Sequence, residues 1–237
     1  MNHTRIGCAS WSIDRESASN FPLEGSHLER YATVLNAVEI NSSFYRPHQP
    51  KTYARWAESV PEDFRFSVKL PRTITHDRRL VDIAEPLARF TGEATALGDK
   101  LGCVLVQLPP SLKLDLATAD DFFQRIKNSF DCMIACEARH ATWFADDATE
   151  LLQRHRISRV IADPPAGQPG PHIPTADAVY VRLHGSPKIY YSPYSDEYLD
   201  SVAAYVDGKD AWCIFDNTAA FAALPNALTL QEKQQSR

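Results

Sequence analysis

In "AVEINSSFYR" (residues 37–46) a carboxylate stands inside an apolar run. Ala37, Val38 and Ile40 suit a buried strand, yet Glu39 sits among them and Asn41 follows two residues later. Positions two apart on a strand share a face, so Glu39 and Asn41 point the same way. An unpaired carboxylate on the inside of a short strand is strongly unfavourable. The strand must therefore end where other elements supply partners.

Seven further runs of the same kind lie on either side of it. They are "RIGCASW" (5–11), "RFSVKL" (65–70), "LGCVLVQL" (101–108), "CMIACEAR" (132–139), "RVIAD" (159–163), "AVYVRLHG" (178–185) and "AWCIFDN" (211–217). Helical spacing fills most of the gaps: "HLERYATVL" (27–35), "PKTYARWAESV" (50–60), "AEPLARFTGEATAL" (84–97), "TADDFFQRIKNSF" (118–130, with Thr118 as N-cap), "WFADDATELLQRH" (143–155) and "SDEYLDSVAAYV" (195–206). Segment 164–177 is too rich in Pro and Gly for a full helix, so the sixth unit is expected to be irregular. The closing "NTAAFAALPNALTL" reads as a helix interrupted at Pro225. Eight strands alternating with helices in 237 residues predict an α/β fold: one (β/α)8 barrel of TIM type, occupying 1–237 as a single domain. An open doubly wound sheet fits less well, because no Gly-rich phosphate turn follows the first strand.

Composition narrows the classes of function. A net charge of −5 gives no electrostatic basis for nonspecific binding to nucleic acid or anionic membrane, and nucleic acid is therefore a disfavoured partner. No apolar run approaches the roughly 20 residues that cross a bilayer. The opening "MNHTRIGCASW" lacks the layout of a signal peptide, so a cytoplasmic location is expected. Five cysteines in predicted strands read as reduced core residues. Cys132 and Cys136 have no second Cys or His pair beside them that would make a metal site.

The barrel reading directs attention to the strand ends, since active sites of this fold lie at the C-terminal face. There the sequence places Glu39 with Asn41, Lys69, Gln107, Glu137 with Arg139, Asp163, Arg182 with His184, and Asp216 with Asn217. Several of these pairs obey the two-residue period of one face. Ion pairing that merely closes the barrel, such as Glu39 with Lys69 or Glu137 with Arg182, is the structural alternative.

"VEINSSFYR", "FRFSVKLPRTITH", "VLVQLPPSL", "CEARHATWF", "IADPP", "VYVRLHGS" and "FDNTAAFAALPNALTL" resemble, in order, the signatures of the YecE-like family, a domain of unknown function (family 72). The resemblance covers residues 5 to about 230 and implies a TIM-barrel-like fold, with no reaction attached. Asp216 stands where that family usually has asparagine.

The expected function is an enzyme for a small, polar, anionic substrate bearing phosphate or carboxylate. Glu39, Lys69, Glu137, Asp163 and His184 are the candidates for acid/base chemistry, and Lys69 has the alternative of forming a Schiff base. Asn41, Tyr45, His76, Gln107, Arg139, Arg182 and Asn217 are expected to hold substrate, with His76 also able to shuttle a proton. Glu39, Glu137, Asp163, His184 and Asp216 would equally suit a divalent metal, as in a phosphodiester hydrolase or sugar isomerase. A noncatalytic module stacking nucleotides, sugars or nucleic acid on Trp11, Phe44, Tyr45, Trp143, Tyr190, Tyr191 and Tyr194 is the other alternative. The loop "SPKIYYSPYS" (186–195) reads as a flap. Neither a cofactor nor an oligomeric state is specified. Loss of Glu39 or Arg182 is expected to leave a folded protein, on the premise that the remaining partners face solvent.

Overall fold

The computed structural model describes residues 4–236. Its strands are β1 (Thr4–Cys8), β2 (Ala37–Ile40), β3 (Arg65–Lys69), β4 (Leu101–Gln107), β5 (Met133–Glu137), β6 (Ser158–Arg159), β7 (Ile161–Asp163), β8 (Val179–Leu183) and β9 (Ala211–Phe215). The helices are α1 (His27–Ala32), α2 (Pro50–Glu58), α3 (Ala84–Ala94), α4 (Leu116–Ser129), α5 (Asp146–Arg154), α6 (Asp196–Val206) and α7 (Ala223–Gln235). No helix among the described residues is long and apolar enough to cross a membrane.

Every strand pairing is parallel, and the backbone ladders form two sheets. One is ordered β2-β3-β4-β5-β6 and the other β1-β9-β8-β7. The run expected as one strand over 159–163 divides at Val160. Its first part pairs with β5 and its second with β8. On the other side, β1 and β2 are joined by side chains. Asn36 accepts from Ile6 N and donates to Thr4 O, while the Tyr31 hydroxyl accepts from Cys8 N and donates to Ala37 O. Gly7 is required at this seam, because a Cβ there would lie 1.9 Å from Ala37 O.

Strand alternation separates two apolar cores. Outward residues such as Ile6, Val38, Val68, Val104, Ile134, Val181 and Phe215 pack with helix residues including Leu28, Phe90, Phe122 and Leu199. Inward residues form a smaller cluster of Ala9, Ala37, Cys103, Leu105, Ala135, Val160, Tyr180, Trp212 and Ile214. Burial of both faces explains why the strands read as nearly continuous apolar runs, as parallel strands do.

Several boundaries differ from expectation. Asp115, rather than Thr118, caps α4 by accepting from Thr118 N, so the helix starts three residues earlier. Pro225 lies in the first turn of α7, where its missing N–H costs nothing, and the helix begins around it instead of breaking there. No helix lies between β7 and β8, which leaves the sixth unit irregular.

Candidate functional site

Alternation along β8 turns Tyr180, Arg182 and His184 to the inner face, where they meet the ends of β2, β5 and β9. Arg182 is 0 % exposed. Its Nε and Nη2 donate to the two oxygens of Glu39 at 2.9 and 2.6 Å, a bidentate pair. Nη1 donates to Glu137 Oε2 at 2.8 Å, and Nη2 lies 3.2 Å from Asp216 Oδ2. One guanidinium thus serves three carboxylates drawn from both sheets. The Tyr180 hydroxyl donates to Glu39 Oε2 at 3.0 Å and lies 2.8 Å from Ser67 Oγ.

Burial alone would raise the carboxyl of Glu137, but Arg182, His184 and Arg139 hold it well below the usual range. Asp216 behaves alike: burial raises it, and the stronger pull of Arg182 and His184 leaves it lowered. His184 directs Nδ1 at Asp216 Oδ2 (3.0 Å) and Nε2 at Glu137 Oε1 (3.2 Å). Both contacts are hydrogen bonds only when both nitrogens carry protons. Burial disfavours that imidazolium, while the two carboxylates outweigh it and raise the histidine above its ordinary value.

Arg139 extends the group outward. Its Nε and Nη2 donate to Glu137 Oε1 at 2.9 and 2.7 Å, and Nη1 has no hydrogen-bond partner among the described residues. Lys69 is the exception within the site. It is 5 % exposed, its Nζ lies 4.2 Å from the centre of the Phe44 ring, and no carboxylate among the described residues comes within 4.0 Å of it. Burial, with Arg182 adding to it, lowers its ammonium to about 8 despite Glu39, Asp216 and Glu137. His76, on a π-helical turn (Thr73–Asp77), is lowered by burial and by Lys69, Arg72 and Arg139, which places it beside these cations.

The structure brings together Glu39, Lys69, Glu137, Arg139, Arg182 and His184, with His76 at the edge. Gln107 is buried and paired in register with Glu137. Asn41 is partly buried, and its Oδ1 has no partner among the described residues. Tyr45 is 69 % exposed and packs edge-on against Phe44.

Two candidates lie elsewhere. Ala162 packs in the inner cluster and Ile161 against the outer one, so Asp163 turns outward. There the Tyr194 hydroxyl reaches its Oδ1 at 3.0 Å. Asn217 likewise sits behind the strand end, donating to Ser192 O and Asn226 Oδ1. The expected pairing of Glu39 with Lys69 is replaced by Arg182, whose fork fits a carboxylate better than a point charge does. Trp143 and Tyr194 are buried packing residues: the Trp143 indole donates to Leu112 O and the Tyr194 hydroxyl accepts from Gly185 N.

Tyr180 was absent from the expected set, although the same alternation that selects Arg182 and His184 selects it. Tyr190 also belongs near the site. Its ring meets His184 edge-on at 5.9 Å, and its backbone holds a φ of +70°, which is rare for a bulky residue. A separate pocket of about 380 Å³ adjoins the rim between Phe44, Tyr45, Arg72 and α3.

A parallel α/β protein with an arginine–carboxylate cluster at its strand ends is thus defined. Residues 5–237 match the family described as "Protein of unknown function DUF72", and the chain belongs to that family. The YecE protein of Escherichia coli (strain K12) is 29 % identical over 169 residues, covering 68 % of this chain and 60 % of YecE. The chain therefore spans less than two thirds of that relative's length. A crystal structure of a DUF72 family protein from Thermotoga maritima MSB8 superposes with a TM-score of 0.81 at 24 % identity, covering 98 % of this chain and 99 % of the other. SacUVDE shares the fold with a TM-score of 0.64 at 10 % identity, covering 99 % of each chain.

Proposed function

We propose that the cluster is the acid/base site of an enzyme acting on a small anionic molecule that carries phosphate or carboxylate. The observation that carries this reading is Lys69, a buried ammonium with no carboxylate within 4.0 Å among the described residues. Three carboxylates, Glu39, Glu137 and Asp216, are gathered on Arg182. Arg139 Nη1 offers a second open donor. A bound anion restores the balance that the protein itself leaves incomplete, and His184, raised above its ordinary value by Asp216 and Glu137, serves as a proton donor.

The same geometry weighs on the alternatives. Of the carboxylates in that metal set, Glu39, Glu137 and Asp216 are held by Arg182 and Asp163 faces away, and no group of three or more His, Cys, Asp or Glu among the described residues is arranged to hold a metal ion. We also read the two sheets as halves of one barrel in a single domain, supported by the run 158–163 that joins them and the side-chain seam between β1 and β2. Five unpaired cysteines support a cytoplasmic location.

The test is thermal unfolding with inorganic phosphate and sulfate, followed by metabolite profiling with purified protein. Saturation at 100-fold over Kd should add about 2.7 kcal/mol, and Lys69→Met should abolish the gain. Stabilisation by one metabolite without its conversion would favour the noncatalytic module. Destabilisation by EDTA, reversed by one divalent cation, would favour the metal-dependent hydrolase or isomerase.

A further inference from the structure

Lys69 occupies a position that ion pairing alone does not explain. The carboxylates closest in kind, Glu39, Glu137 and Asp216, converge on Arg182 and leave the ammonium to an aromatic face. The charged groups that act on it come from several elements. Arg182 comes from β8, Glu39 from β2, Glu137 from β5, Asp216 from β9, and His76 from the turn after β3 itself. Phe44, from the turn after β2, covers Nζ, and the Ser43 hydroxyl donates to Lys69 O at 2.6 Å, fixing the strand end beneath it.

We infer that Lys69 is a nucleophile that captures a small anionic carbonyl compound as a Schiff base, with Arg139 holding the anion. This rests on the anionic-substrate reading above and deepens it to a substrate class, 2-oxo acids or phosphorylated aldehydes and ketones. The neutral amine attacks the carbonyl carbon, a C–N bond forms, and the carbonyl electron pair moves to oxygen, which takes a proton. Nitrogen then releases a proton by way of His76 to solvent; burial and the cations Lys69, Arg72 and Arg139 disfavour the charged imidazole, so the proton passes on rather than staying there. The hydroxyl leaves as water with a further proton, and the product is an iminium ion. The balance is one amine, one carbonyl and one proton in, one iminium and one water out. No oxidant or reductant is needed.

The geometry supplies both conditions for such an amine. Strand β3 presents it rigidly at the site, and burial keeps part of it unprotonated near neutrality. At pH 8, a lysine that titrates at about 8 is half in the reactive form. An ordinary exposed lysine offers on the order of 100-fold less.

The experiment is reductive trapping of the whole protein with glyoxylate and with pyruvate in the presence of cyanoborohydride, read by peptide mass mapping. Lys69 should label on the order of 100-fold faster than the exposed Lys51, Lys113 and Lys188 at pH 8. Its labelling should rise with a midpoint near 8, and saturating phosphate should suppress it. Lys69→Arg, which keeps the charge and the fold, should lose that label and leave the surface label unchanged. Labelling of Lys69 no faster than of the exposed lysines overturns the nucleophile. If phosphate still stabilises the protein in that case, the anion site survives. Selective labelling that phosphate leaves untouched overturns the anionic class of substrate.

Discussion

Replacing Arg182 by methionine removes the one cation that three buried carboxylates share. Two hydrogen bonds to Glu39 and one to Glu137 are lost, together with the 3.2 Å contact to Asp216. Both Arg182 and Glu39 are 0 % exposed, so the partner left behind cannot be solvated as the sequence reading expected. Breaking a buried pair from one side costs about 3–5 kcal/mol. For a chain of this size that corresponds to a fall in Tm of roughly 6–20 °C. The penalty should depend on pH. In the native protein Glu137 and Asp216 titrate below their unfolded values, so they add stability above the unfolded carboxylate range. Without Arg182, burial dominates and raises them. The folded variant then binds protons that the unfolded chain has released, and its stability falls as pH rises. Urea unfolding at pH 5 and pH 8 should therefore show a deficit that widens at pH 8. Arg182→Lys, which keeps a charge but not the fork, should lie between the two. A deficit under about 1 kcal/mol, or one equal at both pH values, would refute the shared-cation account.

Tyr180→Phe removes a donor to Glu39 and should cost about 1 kcal/mol by the same assay, whereas a loss below a few tenths would mean the bond contributes little. The raised His184 makes a stability contribution that is complete below its unfolded value of about 6.5 and fades as pH rises through the folded one. Wild type should lose stability relative to His184→Asn as pH rises from 6 towards 8, where Lys69 titrates, as read from Tm. Asp163→Asn keeps an oxygen for Tyr194 and lies outside the cluster, so phosphate should stabilise that variant as well as wild type. Gly7→Ala forces a Cβ against Ala37 O and should leave no soluble protein, and recovery at wild-type yield would contradict the seam.

Strand positions were readable because both faces of each strand are buried, which writes them as continuous apolar runs, and because parity alone groups Glu39, Glu137, Arg182 and His184. Parity is also where the reading stopped. "RVIAD" gives no sign that its last residue faces the helices, since Ile161 and Asp163 share a side and Ala162 is small enough to face inward. Partner choice was not legible either. Glu39 precedes Lys69 on the adjacent strand, but its pairing with Arg182 comes from a strand 143 residues later and depends on side-chain length across the interior. The helix limits at Asp115 and Pro225 turned on capping geometry, which composition states only loosely.

The pairing of the first strand with the last has a consequence for how the chain is made. Strands β2 to β6 lie consecutively within residues 37–159, so that sheet can assemble while synthesis continues. Among the described residues the ladder partner of β1 is β9, at residues 211–215. β1 must therefore wait for its ladder partner until residues 211–215 have been made. Asn36 and Tyr31, which bond to β1 from the adjacent segment, are the groups able to hold it in place during that interval. Pairings this distant in sequence are slow to form, so residues 4–8 should be the last to gain protection from hydrogen exchange during refolding.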